Sequence, residues 1–222
     1  MTLSTLIKLM GEASLDTLTI IFFSTLFSYL GGFPLGVMLI LFRKDGLHPM
    51  PKLYRILDTV INLIRSVPFV VLILALMPVS HFITGTTIGI KATIVALVIG
   101  AIPFVARIVE TALKEVDSGV IEAAITMGCD VRQLIFKVML SEALPSLLQG
   151  LSLTIITLIG YSAMAGMVGG GGLGDVAVRY GYYRYNYNVM LIALVILVLL
   201  VQIVQSTIHT ITRRIDRRIR QS

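Results

Sequence analysis

The run VMLIALVILVLLV, residues 189–201, decides the architecture: thirteen consecutive apolar residues without a charge among them. An amphipathic helix of a soluble domain turns one apolar stripe to a core, whereas a segment apolar all round is immersed in a large core or in lipid. Extended outward, the apolar character holds over about 189–211. That is enough for a bilayer core of about 30 Å, which takes roughly 20 residues at 1.5 Å rise each.

Four further stretches reach the same length. The first, about 15–42, holds Gly31, Gly32 and Pro34, which are expected to loosen it. The second, about 57–77, contains Arg65 and Pro68. The third, about 88–105, carries Ala92, Ala96 and Gly100 at four-residue spacing, a small-residue face for close helix packing in lipid. The fourth, about 147–168, is rich in Gly, Ser and Thr. The expectation is an all-α membrane protein with about five transmembrane helices, forming one transmembrane domain over 1–222. Composition agrees: 56% of the 222 residues are hydrophobic and 14% charged, and the mean hydropathy is +0.93. A soluble domain carries charge on about a quarter of its residues.

The net charge of +6 does not point to nucleic acid, because the basic residues cluster at the ends of apolar runs. Arg43, Lys44, Lys52 and Arg55 follow the first span. Arg107, Lys114, Arg132 and Lys137 lie between the third and fourth, and Arg213, Arg214, Arg217, Arg218 and Arg220 close the chain. These 13 face only 4 on the other side, namely Lys8, Lys91, Arg179 and Arg184. The positive-inside rule puts the larger set in the cytoplasm. The amino terminus is then outside and the carboxyl terminus inside, a parity that five spans satisfy. No basic leader with a cleavage site opens the sequence, so no removed signal peptide is expected. Cys129 is the single cysteine, which excludes an intramolecular disulfide or a multi-cysteine metal site.

The cytoplasmic segment of about 107–145 has structure of its own. DSGVIEAAITMG (117–128) reads as a short helix whose Val120, Ala123, Ala124 and Met127 form one apolar face. Glu122 is expected in its first turn, where a negative charge suits the helix dipole, and Gly128 where a left-handed residue ends a helix. Asp130 and Gln133 have N-cap and N3 spacing for a second helix. Small residues on a short helix held at the membrane suit docking into a partner's groove.

Glu122-Ala123-Ala124 with Gly128 four residues after Ala124 resembles the EAA signature of binding-protein-dependent ABC importer permeases of type I. Val138 and Leu140 fit the continuation of that pattern, and Ser141 stands where it has proline, with Pro145 close behind. NLIRSVPFVVLI (62–73), IGAIPFVARIVE (99–110), LIGYSAMAG (158–166) and GGGGLGDVAVRYGY (169–182) are similar to the methionine-importing branch of that family. The resemblance implies a bacterial cytoplasmic (inner) membrane protein that works as a homodimer. It also implies two copies of a cytoplasmic ATP-binding subunit, an extracytoplasmic substrate-binding lipoprotein, and methionine, D-methionine included, as cargo. On the same ground Glu122, Ala123, Ala124 and Gly128 would couple the permease to the ATPase. Hydrolysis would occur on the partner, with no cofactor and no catalytic residue on this chain. Another amino acid or small solute is the alternative cargo.

Tyr161, Ser162 and Met164, in a span rich in small and polar residues, are the expected lining of the translocation pathway. Glu122 also fits a solvated helix-start carboxylate, and Gly128 a plain terminator. Arg65 would cost about 2.5–3.5 kcal/mol at a span centre, and reads either as snorkelling to the headgroups or as paired with a carboxylate. The glycines from Gly169 to Gly174 have P-loop spacing, but Asp175 stands in place of the lysine, so they read as a backbone bend. The tyrosines from Tyr180 to Tyr187 read as an interfacial belt. His48, His81 and His209 lack metal-site spacing. An intramembrane enzyme or a proton-coupled carrier would need acids gathered inside the spans. Asp16, Asp58, Glu110 and Asp117 are expected instead at span ends or in loops.

Overall fold

The computed structural model describes residues 3–215 of the chain, so Arg217, Arg218 and Arg220 lie outside the described residues. In chain order the helices are α1 (Leu3–Phe42), α2 (Pro51–Ser66), α3 (Phe69–Ala75), α4 (Met77–Thr84), α5 (Ile90–Lys114) and α6 (Ser118–Thr126). They continue with α7 (131–142, π-helical over Leu134–Met139), α8 (Leu144–Ala165), α9 (172–182) and α10 (Tyr187–Ile215). No strand occurs among the described residues.

Among the described residues four helices are long and apolar enough to cross a bilayer, and α2 with α3 makes a fifth where the bent pair is counted as one span. The 40 residues of α1 extend to about 60 Å at 1.5 Å each, twice the hydrocarbon thickness. Its first turns stand against the glycine-rich stretch: Met10 and Ala13 pack with Leu173, Val176, Val189 and Ala193. Its last turns meet α6 and α7, where Val37, Ile40 and Leu41 border a core holding Leu113, Ala124 and Ile135. The bundle therefore has one end built on the glycine-rich stretch and another built on α6.

The expected second span is not one straight helix. The helices α2 and α3 meet at 101°. The cause is Pro68, which has no N–H to donate and forces the residue before it out of the helical region; Val67 is accordingly extended (φ −77°, ψ 126°). The bent pair still joins the two ends. Before it, the Met50 N–H donates to Phe42 O at the α6 end; after it, the Gly89 N–H donates to Gly169 O at the other.

The expectation that glycine and proline loosen span one is also overturned, since α1 runs unbroken through Gly31, Gly32 and Pro34. These positions are contacts. A Cβ on Gly36 would stand 2.6 Å from both Ala106 O and Val109 Cβ, and one on Gly32 would stand 2.7 Å from Val105 Cβ. Ser24, Ser28, Gly32 and Gly36, spaced by four, are buried along this seam with α5. Such small faces let backbones approach closely where lipid offers no competing hydrophobic drive. The anticipated face on α5 serves other neighbours: the Ser80 hydroxyl of α4 donates to Ala92 O at 3.2 Å, and a Cβ on Gly100 would sit 3.1 Å from Leu72 of α3.

Candidate functional site

The helix α6 is capped at both ends. Asp117 is its N-cap, with Oδ1 accepting from the Gly119 N–H at 2.7 Å. The exit is a Schellman motif: the Cys129 N–H donates to Ala124 O at 3.1 Å and the Gly128 N–H to Ile125 O at 2.9 Å. Gly128 has φ +83°, the left-handed conformation expected from sequence. The following capping box also forms, the Gln133 N–H donating to Asp130 Oδ1 at 2.6 Å and the Asp130 N–H to Gln133 Oε1 at 3.3 Å. At Ser141 the helical path continues through Leu140–Glu142. Glu122, however, is the fifth residue of α6 and not in its first turn; the N-terminal acid is Asp117.

The expected apolar face splits between two environments. Ala124 is buried at 2% among Leu113, Leu134 and Ile135, so it anchors α6 to the bundle and offers nothing to a partner. Val120 at 37% and Met127 at 77% are exposed, and Ala123 and Glu122 lie open between them. A helix fixed on one side thus shows uncovered apolar side chains on the other.

Within α8 the three expected pathway residues also diverge. Ser162 is buried and its hydroxyl donates to Ile159 O at 2.8 Å. Tyr161 stacks on Phe69, with centroids 4.2 Å apart and rings 1° from parallel. Met164 is 43% exposed. It lies on an open stripe with Leu153 and Gly160, set by the helical repeat and not legible from composition.

Sequence reading missed a charged cluster between α2 and α5. Arg107 lies inside α5, not in a loop, and donates to Asp58 Oδ1, to Glu110 Oε2 at 2.6 Å and to Asn62 Oδ1 at 3.0 Å. The Tyr54 hydroxyl donates to the other Glu110 oxygen at 3.2 Å. Two acids expected apart are therefore gathered, but around a guanidinium that satisfies both. That arrangement ties helices together and leaves no free carboxyl for a relay. The signal was the i, i+3 pair Arg107/Glu110 beside the i, i+4 pair Asp58/Asn62. Arg65 forms no ion pair among the described residues. It lines a cavity of about 370 Å³ between α2, α5 and α8.

At the other end, Thr17 Oγ1 accepts from the Leu173 N–H at 2.8 Å and the Thr93 hydroxyl donates to Gly170 O at 2.9 Å. These bonds hold the glycine-rich bend against α1 and α5. Tyr182, Tyr183, Tyr185 and Tyr187 stand exposed beside it. No group of three His, Cys, Asp or Glu able to hold a metal ion occurs among the described residues.

Comparison with known proteins gives a consistent picture. Residues 32–221 match the family described as binding-protein-dependent transport system inner membrane component. The chain is 51% identical over 187 residues to the probable D-methionine transport system permease protein MetI of Vibrio cholerae, covering 84% of this chain and 83% of that one. It is 42% identical over 181 residues to the methionine import system permease protein MetP of Bacillus subtilis, covering 82% of each. Among solved structures, a chain of the MetNI methionine ABC transporter in an inward-facing conformation superposes with a TM-score of 0.94 at 42% identity, over 98% of this chain and 100% of that one.

Proposed function

The chain belongs to the binding-protein-dependent transport system inner membrane components, multi-pass proteins of the inner membrane, and from that premise we propose that it is the permease subunit of a methionine importer driven by ATP. Two copies would enclose the route. Two cytoplasmic ATP-binding subunits would supply the energy, and an external lipoprotein would deliver the cargo, D-methionine included. The names of the relatives support the cargo. The observation that carries the mechanism is α6, anchored through Ala124 and uncovered along Val120, Ala123 and Met127.

A bulky apolar side chain in water is unfavourable by about 25 cal/mol per Å² of apolar surface, so the uncovered face favours a partner's groove. Glu122 beside it offers a charge for register, and Gly128 fixes the angle at which the chain leaves. ATP-driven motion of the partner would then reach α5 and α8 through the shared core. The 13-to-4 charge asymmetry supports placing α6 in the cytoplasm, with the amino terminus outside. On the facing copies, the stripe of Leu153, Gly160 and Met164 is the better candidate for the route than the buried Ser162.

The test is uptake of labelled methionine into cells carrying this chain with its ATPase and lipoprotein. We expect ATP-dependent uptake that falls sharply in Glu122→Lys at normal expression, with reduced co-purification of the ATPase. Uptake of another solute in place of methionine would replace the cargo reading. Normal uptake by Glu122→Lys would remove α6 as the coupling element.

A further inference from the structure

Arg65 and Arg107 face the same cavity but are treated differently by the fold. Arg107 is held by Asp58, Glu110 and Asn62, so its charge is spent within the protomer. Arg65, in the last turn of α2, is exposed and has no ion-pair partner among the described residues. A guanidinium inside a membrane protein faces a water-filled space or a partner, and marks a functional site by default.

The space it faces is an open groove of about 370 Å³, within the volume range of small-molecule sites. Its walls combine two chemistries. Phe104, Ile108 and Leu153 form an apolar side, while Gln149 and Glu115 supply acceptors. Glu115 is already positioned, taking the Ser146 hydroxyl at 2.7 Å. A planar cationic fork, an apolar wall and acceptors along one space match a zwitterion with an apolar side chain. The fork suits a carboxylate, because two parallel N–H donors meet its two oxygens.

We propose that this cavity is a weak binding station for the transported amino acid on the permease itself, with Arg65 donating to the α-carboxylate and the side chain lying against Phe104, Ile108 and Leu153. The proposal rests on the functional reading above and goes beyond it in giving the membrane subunit its own contact with cargo. Weakness is part of the design, since a site on a route must release what it binds. The same site explains why Arg65 has no ion-pair partner among the described residues: a carboxylate resident on it would compete with the passing one.

The experiment uses the assembled permease–ATPase complex in lipid nanodiscs without the binding protein. Cys129→Ser removes the native thiol and Thr111→Cys places a reporter on the cavity wall. The rate of reaction with a small polar thiol reagent is followed as methionine is added. Methionine should slow the reaction, whereas 3-(methylthio)propylamine, which lacks the carboxylate, should not. Arg65→Gln should raise the half-protecting concentration about tenfold or more, and Arg65→Lys should raise it less, as loss of a bidentate charge-assisted contact requires. Equal protection with and without Arg65, or no protection by methionine in a complex that imports it normally, would overturn the proposal. Either result would assign Arg65 to lipid headgroups or to the second copy. Failure of the complete transporter to import methionine would sink the functional reading, and this inference with it.

Discussion

At Gly36 an added Cβ would meet Ala106 O and Val109 Cβ at 2.6 Å; at Gly128 it would meet nothing within 4 Å, but φ is +83°. The first glycine is required by space and the second by conformation. The regions around them differ in the same way. The α1/α5 seam is closed, with small buried residues of α1 set against Val105 and Val109 of α5, and its task is to hold helices together. The α6 exit stands open to solvent, and its task is to aim a surface. Substitutions should therefore fail differently: at the seam by losing the fold, at α6 by losing function in a fold that survives.

The largest effect is expected at the seam. Gly36→Val must displace the backbone carbonyl of Ala106, which cannot rotate away as a side chain could. Overpacking costs typically about 1–3 kcal/mol and more where backbone blocks relief. We expect little folded protein in detergent extracts, and a clear drop in thermal midpoint even for Gly36→Ala. A midpoint for Gly36→Ala equal to that of the unaltered chain would break the comparison at its root.

Next in size is the cluster tying α2 to α5. Arg107→Met leaves Asp58 and the buried Glu110 facing each other. Breaking a fully buried pair costs about 3–5 kcal/mol, but the Asp58 side chain is 31% exposed, so about 2 kcal/mol is expected here. Adding Glu110→Gln should recover part of the lost thermal stability. No recovery in the double variant would mean that Arg107 acts through its packing and not its charge.

Smaller again is Gly128. A β-branched residue in the left-handed region costs roughly 1 kcal/mol or more, too little to unfold the bundle. Gly128→Val should lower the thermal midpoint by only a few degrees yet lose most methionine uptake, while Gly128→Asn, which tolerates this conformation, should retain far more. Equal loss in both would shift the cause from backbone conformation to some other property of the glycine.

How much of this was legible follows the same division. Local signals were readable: the capping box at Asp130 and Gln133, the left-handed Gly128 and the apolar lengths of the spans depend on residues a few positions apart. Direction was not. Val120, Ala123, Ala124 and Met127 share a helical spacing, yet which of them meets the core depends on Leu113 and Ile135 from other helices. Asp58 and Arg107 are 49 positions apart, beyond any periodicity. The break in span two was available in Pro68 and its effect on Val67, but the apolar run outweighed it in the reading.

The least perturbing test sets the two kinds of surface side by side within one helix. Ser162 and Met164 are two positions apart on α8, so they lie on different faces. Ser162 is 4% exposed and Met164 43%. In a Cys129→Ser background, Ser162→Cys changes one atom and Met164→Cys shortens an exposed side chain, so neither should disturb the thermal midpoint by more than about 1 kcal/mol of stability. The thiol at 164 should react readily with a small polar reagent, at a rate that changes when ATP is bound and the route opens or closes. The thiol at 162 should stay protected in every state, because no rigid movement of the protomer uncovers a residue inside it. Protection of both would bury the 153–160–164 stripe against the second copy. Reaction of both would mean that α8 turns about its axis during transport, and the packed and working faces would then be one surface seen in two states.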